Sequence, residues 1–250
     1  MHPLVAEFLG TALLVLFGNG VVANVLLRQT KGNNAGWLTI AAGWGLAVYI
    51  GVFCSAESSD AHLNPAVSIA MAVAGKQSLG DAASYIVAQF LGAMIGGLLV
   101  YLFYREHFRA TDDADAKLAC FATGPEIRNL PQAFFCEAVG TFTLILPIFL
   151  MVAPSISIGD ETAAQPGALG LGALGALPVG LLVFAIGLSL GGTTGYAINP
   201  VRDLGPRIVH FLLPIHGKRD SDWGYAWVPV LGPIAGCVVA ALVYRTLLTP

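Results

Sequence analysis

The chain has 250 residues, of which 56% are hydrophobic and 11% are charged, whereas soluble domains carry roughly 25% charged residues. This composition excludes an ordinary soluble domain and indicates a membrane protein. The formal net charge is −3, so the chain lacks the basic excess that binds nucleic acid.

Six segments reach the ~20 apolar residues that a helix needs to cross the hydrocarbon layer of a bilayer. The first has neither a basic leader nor an Ala-x-Ala cleavage site, which predicts a membrane helix rather than a signal peptide. We place the six spans at residues 4–27, 37–56, 82–104, 133–153, 168–190 and 226–248.

Two further apolar runs, residues 65–74 and 200–213, are only about half as long as a span. A helix that ends inside the bilayer is tolerated only where protein or a water-filled cavity surrounds its free backbone groups. Each run begins with Pro, which suits the first helical position, and follows an Asn, which suits the N-cap. The pattern predicts two re-entrant half-helices and therefore a pore.

The remaining stretches are connections. Residues 105–132 are polar and predict one extramembrane loop, and the Gly- and Ala-rich residues 159–175 predict a short connection into the fifth span. The cysteines form no Cys-x-x-Cys pair, so we interpret them as small space-filling residues. They are Cys54, Cys120, Cys136 and Cys237.

Sequence elements recur in the two halves of the chain. Each half holds three spans and one half-helix, and because three is odd, the second copy enters the membrane from the opposite side. The sequence predicts one channel domain with repeat halves at about 1–110 and 130–250, whose paired glycines let helices approach closely. The recurring elements are Glu7-x-x-Gly10-Thr11 with Glu137-x-x-Gly140-Thr141, Asn64-Pro65 with Asn199-Pro200, and Leu91-Gly92-x-x-x-Gly96 with Leu231-Gly232-x-x-x-Gly236.

Charged residues inside the membrane zone require an explanation. Glu7 and Glu137 are either proton-carrying carboxylates or acceptors that brace the backbone of the re-entrant loops. Their identical placement favours bracing. Arg202 lies in the first turn of the second half-helix, where it either neutralises Asp203, caps loop carbonyls, or lines the pore and repels cations. We favour the pore-lining role.

The two Asn-Pro stretches resemble the signature loops of the major intrinsic protein family, the aquaporins and aquaglyceroporins. They read Ser59-Asp60-Ala61-His62-Leu63-Asn64-Pro65-Ala66-Val67 and Gly195-Tyr196-Ala197-Ile198-Asn199-Pro200-Val201-Arg202-Asp203-Leu204-Gly205-Pro206-Arg207. The resemblance covers nearly the whole chain. It implies an all-α membrane fold of six transmembrane helices and two half-helices, a homotetramer with one pore per subunit, and a multi-pass location in the plasma membrane, or in the inner membrane of a bacterium.

Four positions form the narrowest point of a pore in this family, and they fall here on Trp44, Gly187, Tyr196 and Arg202. The resemblance implies that Gly187 leaves room for a carbon chain, that the two aromatic residues form an apolar corner, and that Arg202 donates to solute hydroxyls. This filter resembles the aquaglyceroporin type. It implies passive diffusion of glycerol, small polyols and water, with protons and ions excluded.

The resemblance also assigns the rest of the pore wall. Both Asn side chains donate hydrogen bonds at the midplane, and the carbonyls before each Asn face the solute. The midplane residues are Asn64, Pro65, Ala66, Asn199, Pro200 and Val201, and the carbonyls are those of Asp60, Ala61, His62, Gly195, Tyr196 and Ala197.

Two residues depart from the family pattern. Val201 replaces the usual Ala and either narrows the midplane or only repacks it. Asp60 stands where the family commonly has Gly, and it either adds negative charge at one mouth of the pore or pairs with a nearby base. The residues leave both questions open.

Other functions are weaker alternatives. A mainly water-conducting or urea- and ammonia-permeable pore remains open, and a coupled transporter would need more ionisable residues along its path than Glu7 and Glu137. An enzyme would need a nucleophile or a metal cluster, and the five His residues are scattered, so we expect no enzyme activity, no catalytic residue, no cofactor and no metal.

Loop charges oppose the orientation that the resemblance implies. With both termini in the cytoplasm, two basic residues lie inside and eight outside, which is contrary to the positive-inside rule. We follow the resemblance because the signature loops carry more information. The inner residues are Lys76 and Arg245, and the outer ones are Arg28, Lys31, Arg105, Arg109, Lys117, Arg128, Lys218 and Arg219.

Overall fold

Long apolar helices dominate the fold. The structure is a computed structural model that describes residues 1–152, 154–157, 166–168 and 170–248. Over these residues the helices are α1 (Pro3–Leu26), α2 (Trp37–Ser59), α3 (Pro65–Val73), α4 (Leu79–Phe103), α5 (Arg105–Ala110), α6 (Ala114–Ala119), α7 (Leu130–Leu150), α8 (Leu177–Leu190), α9 (Pro200–Leu212) and α10 (Val228–Val243).

Six of these helices are long and apolar enough to span a bilayer, which confirms the predicted span count for the described residues. Helices α1, α2, α4 and α7 do so alone. Short 3-10 turns, Gly172–Ala176 and Gly191–Thr193, extend α8 at both ends, and a π-helical turn, Tyr244–Leu248, extends α10. Because six is even, both termini lie on one side of the membrane. We name this side the inner face and the opposite side the outer face.

The two half-helices are α3 and α9, and both begin at the predicted Pro. Their N-caps are the predicted Asn residues: the Asn64 side chain accepts from the N–H of Ala66, and the Asn199 side chain accepts from the N–H groups of Val201 and Arg202. This capping satisfies donors that would otherwise be unpaired at a helix start. The all-α fold with six spans and two re-entrant half-helices is confirmed.

Glycines bring the spanning helices of each half together. A Cβ on Gly92 would lie 2.3 Å from the carbonyl oxygen of Phe8, and one on Gly236 would lie 2.1 Å from that of Ala138. Such distances are far below contact, so α4 rests directly on α1, and α10 rests directly on α7. The repeated glycine pairs thus mark the same helix contact in both halves.

The outer connection is more ordered than the predicted single loop. Residues 105–132 contain α5, α6 and the start of α7, and the Asp113 side chain caps α6 by accepting from the N–H groups of Asp115 and Ala116. Phe108 and Phe121 are buried against the bundle. Burial of these aromatic rings anchors the connection over the outer ends of the spans.

A pair of short antiparallel strands on the inner face was not predicted. Residues Ser155–Ser157 pair with Pro166–Ala168 as antiparallel strands β1 and β2. The predicted connection over residues 159–175 overlaps this pair, but residues 158–165 and 169 lie outside the described part of the chain.

Candidate permeation pore

A cavity of about 150 Å³ runs between the two half-helices and the spans. Its wall has an apolar part from the spans and a polar part from the re-entrant loops. The lining residues are Leu14, Trp44, Val48, Val52, Asp60, Ala61, His62, Leu63, Asn64, Val67, Met71, Leu144, Ile148, Val179, Val183, Tyr196, Ala197, Ile198, Asn199 and Arg202.

Glu7 holds the first re-entrant loop. It is fully buried, and its carboxylate accepts from the N–H groups of His62 and Leu63 at 2.9 and 2.7 Å. The Ser59 hydroxyl and the Gln89 amide also donate to it, at 2.6 and 2.7 Å. Four donors therefore fix this carboxylate, and all come from within the first half.

Glu137 makes the equivalent contacts in the second half. It accepts from the N–H groups of Ala197 and Ile198, both at 2.9 Å, and from the Thr194 hydroxyl at 2.7 Å. Ala197, Ile198 and Thr194 lie two, one and five residues before Asn199. In the first half, His62, Leu63 and Ser59 lie at the same distances before Asn64. The repeat seen in the sequence thus extends to individual hydrogen bonds.

The backbone of the two loops repeats as well. Both loops adopt positive φ four, three and one residues before the Asn, a region that few residues other than Gly favour. The carbonyls of residues 60–62 and 195–197 accept no hydrogen bond from the described part of the chain, which leaves them available to a solute. The positive-φ residues are Asp60, Ala61 and Leu63 in the first loop and Gly195, Tyr196 and Ile198 in the second.

The two Asn residues meet at the centre. Asn64 Nδ2 donates to the carbonyl of Ile198, and Asn199 Nδ2 donates to the carbonyl of Leu63, both at 2.9 Å. An amide nitrogen carries two hydrogens, so each Asn retains one N–H beyond this bond. Both residues line the cavity.

Three of the four residues predicted for the constriction line the cavity together. Trp44, Tyr196 and Arg202 are 3%, 4% and 6% exposed. The Arg202 guanidinium carbon lies 4.0 Å from the centre of the Trp44 ring. Among the described hydrogen bonds only the backbone N–H of Arg202 takes part, so its guanidinium donors have no protein acceptor.

Gly187 has a different place from the one predicted. It does not line the cavity, and a Cβ there would lie 2.8 Å from Tyr196 Oη and 3.1 Å from the Ala41 Cβ. The space that Gly187 leaves is therefore filled by the Tyr196 ring. The glycine affects the cavity indirectly, because it lets that ring lie back against α8.

Arg202 does not neutralise Asp203. The Asp203 carboxylate instead pairs with Arg207 at 2.7 Å, and both side chains are fully buried. Asp203 also accepts from the backbone N–H and hydroxyl of Thr123, each at 2.7 Å. This network joins α9 to the outer connection and leaves Arg202 to the cavity.

Five other predicted residues do not line the cavity: Pro65, Ala66, Gly195, Pro200 and Val201. Gly195, predicted to offer a carbonyl, does not line the cavity, whereas the other five predicted carbonyl residues do. Val201 is 3% exposed and packs in the hydrophobic core, so this departure from the usual Ala repacks the midplane rather than narrowing the path.

Apart from Trp44, the residues that form the apolar wall were not identified from the sequence. The residues of this wall recur at i, i+4 spacing, the spacing of one helix face, on α2 and α8 and again on α7. That spacing could have identified these residues from the sequence. It is not recognisable in a span that is apolar on every side, because no polar face marks the contrast. The members are Trp44, Val48 and Val52 on α2, Val179 and Val183 on α8, and Leu144 and Ile148 on α7.

Comparison with known proteins agrees with this geometry. Residues 1–244 match the model of a protein family described as "Major intrinsic protein". The chain belongs to the major intrinsic protein family. The resemblance to this family, which the two Asn-Pro loops indicated, is thereby confirmed over residues 1–244.

Relatives within the family are similar over their full length. A probable glycerol uptake facilitator protein from Thermotoga maritima is 49% identical over 99% of this chain and 100% of its own length. A glycerol uptake facilitator protein from Streptococcus pneumoniae is 48% identical over 98% of both chains. Among solved structures, the aquaglyceroporin from Plasmodium falciparum superposes with a TM-score of 0.82 at 35% identity, covering 99% of this chain and 96% of that one.

Proposed function

We propose that this family member is a passive channel for glycerol and other small uncharged polyols, with water as a second permeant. One observation carries the proposal: among the described residues the Arg202 guanidinium has no protein acceptor, and it faces a cavity whose wall includes the aromatic side chains of Trp44 and Tyr196. The names of its similar relatives, which are glycerol uptake facilitators, support the choice of solute.

The cavity wall suits a polyol chemically. Glycerol has hydroxyl groups along one edge and CH groups along the other. Apolar side chains of the spans would contact the CH groups, while the free carbonyls of the loops, the second N–H of each Asn and the Arg202 guanidinium would bind the hydroxyls. Because hydroxyls both donate and accept, a polyol can bind both the carbonyl acceptors and the N–H donors on the polar side.

The Trp44–Arg202 contact sets a condition on passage. At 4.0 Å no atom fits between the guanidinium and the indole ring, so a solute passes beside the pair or displaces the guanidinium. A cation–π contact is worth about 0.5–2 kcal/mol. Hydrogen bonds from the guanidinium to solute hydroxyls would offset a loss of that size.

Cation exclusion follows from the same geometry. The N-termini of α3 and α9 carry partial positive charge and meet at the centre of the cavity, and Arg202 adds a fixed positive charge. A proton or metal cation would meet three repulsive groups in a narrow path. We expect the channel to pass neutral solutes only.

Proteoliposomes in a stopped-flow instrument provide the test. Vesicles containing the protein should equilibrate with a glycerol gradient at least about tenfold faster than empty vesicles, and a sucrose gradient should report water flux separately. A glycerol rate equal to that of empty vesicles would overturn the proposal. A high water rate with a background glycerol rate would instead identify a water channel, and accumulation against a gradient would identify a coupled transporter.

The variant Arg202→Val tests the role of the filter cation. We expect higher proton or cation conductance, because the fixed charge is gone. Arg219→Ala, on the outer surface, is the matched control and should behave like the parent protein. Unchanged conductance in Arg202→Val would remove this residue from the barrier.

We also propose the assembly and location that the family resemblance implies. We expect a homotetramer in the plasma membrane, or in the inner membrane if the host is bacterial, with the inner face in the cytoplasm. Cysteine labelling by an impermeant reagent tests the orientation. Arg109→Cys should be labelled from outside intact cells, and Lys76→Cys should not.

A further inference from the structure

The positive groups that exclude cations from the proposed channel do not exclude anions. Two half-helix N-termini and Arg202 make the interior of the proposed channel positive, and a positive path attracts small anions. Loss of hydration in a narrow path opposes every ion, whatever its sign, but none of these positive groups adds a barrier against anions. A negative group at one mouth would add that barrier.

Asp60 is placed to supply that charge. It lies at the inner end of the cavity, which it lines, and its side chain is exposed. It belongs to none of the ion pairs among the described residues. The sequence left two roles open for Asp60: negative charge at the mouth of the pore or pairing with a nearby base. Among the described residues the structure shows no base paired with it.

The backbone conformation at Asp60 is one that favours Gly, so the presence of an acidic residue there is informative. Its φ is 59°, in the left-handed region, and its counterpart in the second loop is Gly195, with a φ of 81°. Gly adopts this conformation freely, whereas other L-residues are strained there, Asp and Asn less than most. An acidic side chain thus occupies a position where the backbone favours Gly.

We infer that Asp60 is a specificity-determining residue of the channel, one that excludes anions at the inner mouth. It acts through its field rather than by binding. A unit charge about 6 Å from a monovalent ion in water changes the local ion concentration by roughly threefold, and more where protein walls focus the field. Neutral solutes carry no net charge and pass unaffected.

Nitrate and urea are suitable probes because both are planar with four heavy atoms, and only nitrate is charged. Flux of each into proteoliposomes is compared for the parent protein, Asp60→Asn and Asp60→Gly. Asn tolerates the left-handed backbone and Gly favours it, so neither variant should strain the loop. We expect the ratio of nitrate flux to urea flux to rise about threefold or more in both variants.

The control variant is Glu57→Gln. Glu57 is an exposed carboxylate in the last turn of α2 that does not line the cavity, so its removal should leave the ratio of nitrate flux to urea flux unchanged. Screening supplies a second readout, since the Debye length falls from about 8 Å at 0.15 M salt to about 3 Å at 1 M. The difference between the parent and Asp60→Asn should therefore shrink in high salt.

The inference rests on the proposed channel function, and the two fail differently. A parent protein that passes neither glycerol nor urea would overturn the proposed function. A parent that passes both, with the ratio of nitrate flux to urea flux unchanged in Asp60→Asn and Asp60→Gly, would overturn the role of Asp60 alone. An equal rise in Glu57→Gln would also overturn it, because the effect would then belong to general surface charge.

Discussion

Asn64 and Asn199 each complete the other's loop, since the side-chain amide of each donates to the carbonyl that immediately precedes the other. The same side chains cap α3 and α9 through their oxygen atoms. Each amide is therefore fixed at both ends, and its one remaining N–H has a defined direction. Hydrogen bonds from both halves hold the centre of the cavity, because each half of the chain supplies part of the other's support.

The crossed bond can be removed without losing the cap. In Asn199→Ser the shorter side chain still serves as an N-cap but cannot reach the Leu63 carbonyl. Leaving that buried carbonyl unsatisfied should lower the free energy of unfolding by about 1–3 kcal/mol and reduce glycerol flux several-fold. Thermal unfolding in detergent and vesicle swelling measure the two effects.

A matched control for this substitution is Asn129→Ser. Asn129 caps α7 by accepting from the N–H of Gln132 at 3.1 Å on the outer surface, and Ser caps equally well. Stability and flux in this variant should equal those of the parent. If Asn199→Ser also equals the parent, the crossed hydrogen bonds do not support the midplane.

The six spans could be predicted from the sequence, because the length of an apolar segment determines whether it can cross the bilayer. Predicted and observed spans agree to within a few residues, and both half-helices begin at the predicted Pro. The ends were less predictable: α2 continues to Ser59, three residues past the predicted end. Polar residues at a helix end are compatible with both helix and loop, so only packing decides the boundary.

Functional groups off the motifs were harder to predict. Nothing in the local sequence shows that Ser59, Thr194 and Gln89 donate to the two buried glutamates, although the aligned halves place a hydroxyl five residues before each Asn. The indirect effect of Gly187 depends on where the Tyr196 ring lies, which is a tertiary contact. The outer cations Arg28 and Arg128 have ion-pair partners far away in the chain, so their structural role was also hidden.

Substitution of the buried glutamates distinguishes bracing from proton transport. In Glu7→Gln an NH2 group replaces one acceptor oxygen, so a donor of the loop faces another donor. We expect a loss of about 1–3 kcal/mol in the free energy of unfolding and a lower glycerol flux. Flux through the parent should be independent of a transmembrane pH gradient.

Glu126→Gln controls for the loss of a carboxylate at an exposed outer position, and we expect parental stability and flux. One specific outcome would contradict the bracing role of Glu7. A stable Glu7→Gln protein that loses a pH-driven solute accumulation shown by the parent would make Glu7 a proton carrier and the protein a transporter.

The position of the Tyr196 ring can be tested through Gly187→Ala. The added Cβ would lie 2.8 Å from Tyr196 Oη, so the ring must move toward the cavity. We expect glycerol flux to fall about tenfold or more, with water flux reduced less because water is smaller than glycerol. Swelling in glycerol and sucrose gradients measures both.

Gly192→Ala is the control for adding one methyl group nearby. A Cβ on Gly192 would have nothing within 4 Å, so both fluxes should match the parent. If Gly187→Ala also leaves the glycerol-to-water ratio unchanged, the Tyr196 ring does not limit solute size.

An outer-face ion pair predicts a pH dependence. Arg128 donates two hydrogen bonds of 2.8 Å to Asp222, and these bonds hold the pKa of Asp222 below its ordinary value. A carboxyl whose pKa is lower in the folded state stabilises the fold above its unfolded pKa, about 3.9, and loses this effect as pH falls through the folded value.

Melting temperatures of the parent and Arg128→Gln between about pH 3 and pH 7 test this sign. The parent should be more stable by a constant amount above about pH 5, and the difference should shrink at lower pH. Arg109→Gln removes an exposed pair with Glu106 and should show a smaller difference throughout. A gap that widened on acidification would contradict the assignment.

The crossed amide bonds also bear on how such a chain can originate. One half alone would place an unpaired amide and an unpaired carbonyl at the centre of the bilayer, where no water is present to bind them. A half-length ancestor could satisfy both groups only by associating with a second copy inserted in the opposite direction. Duplication and fusion would then have joined two subunits that already depended on each other.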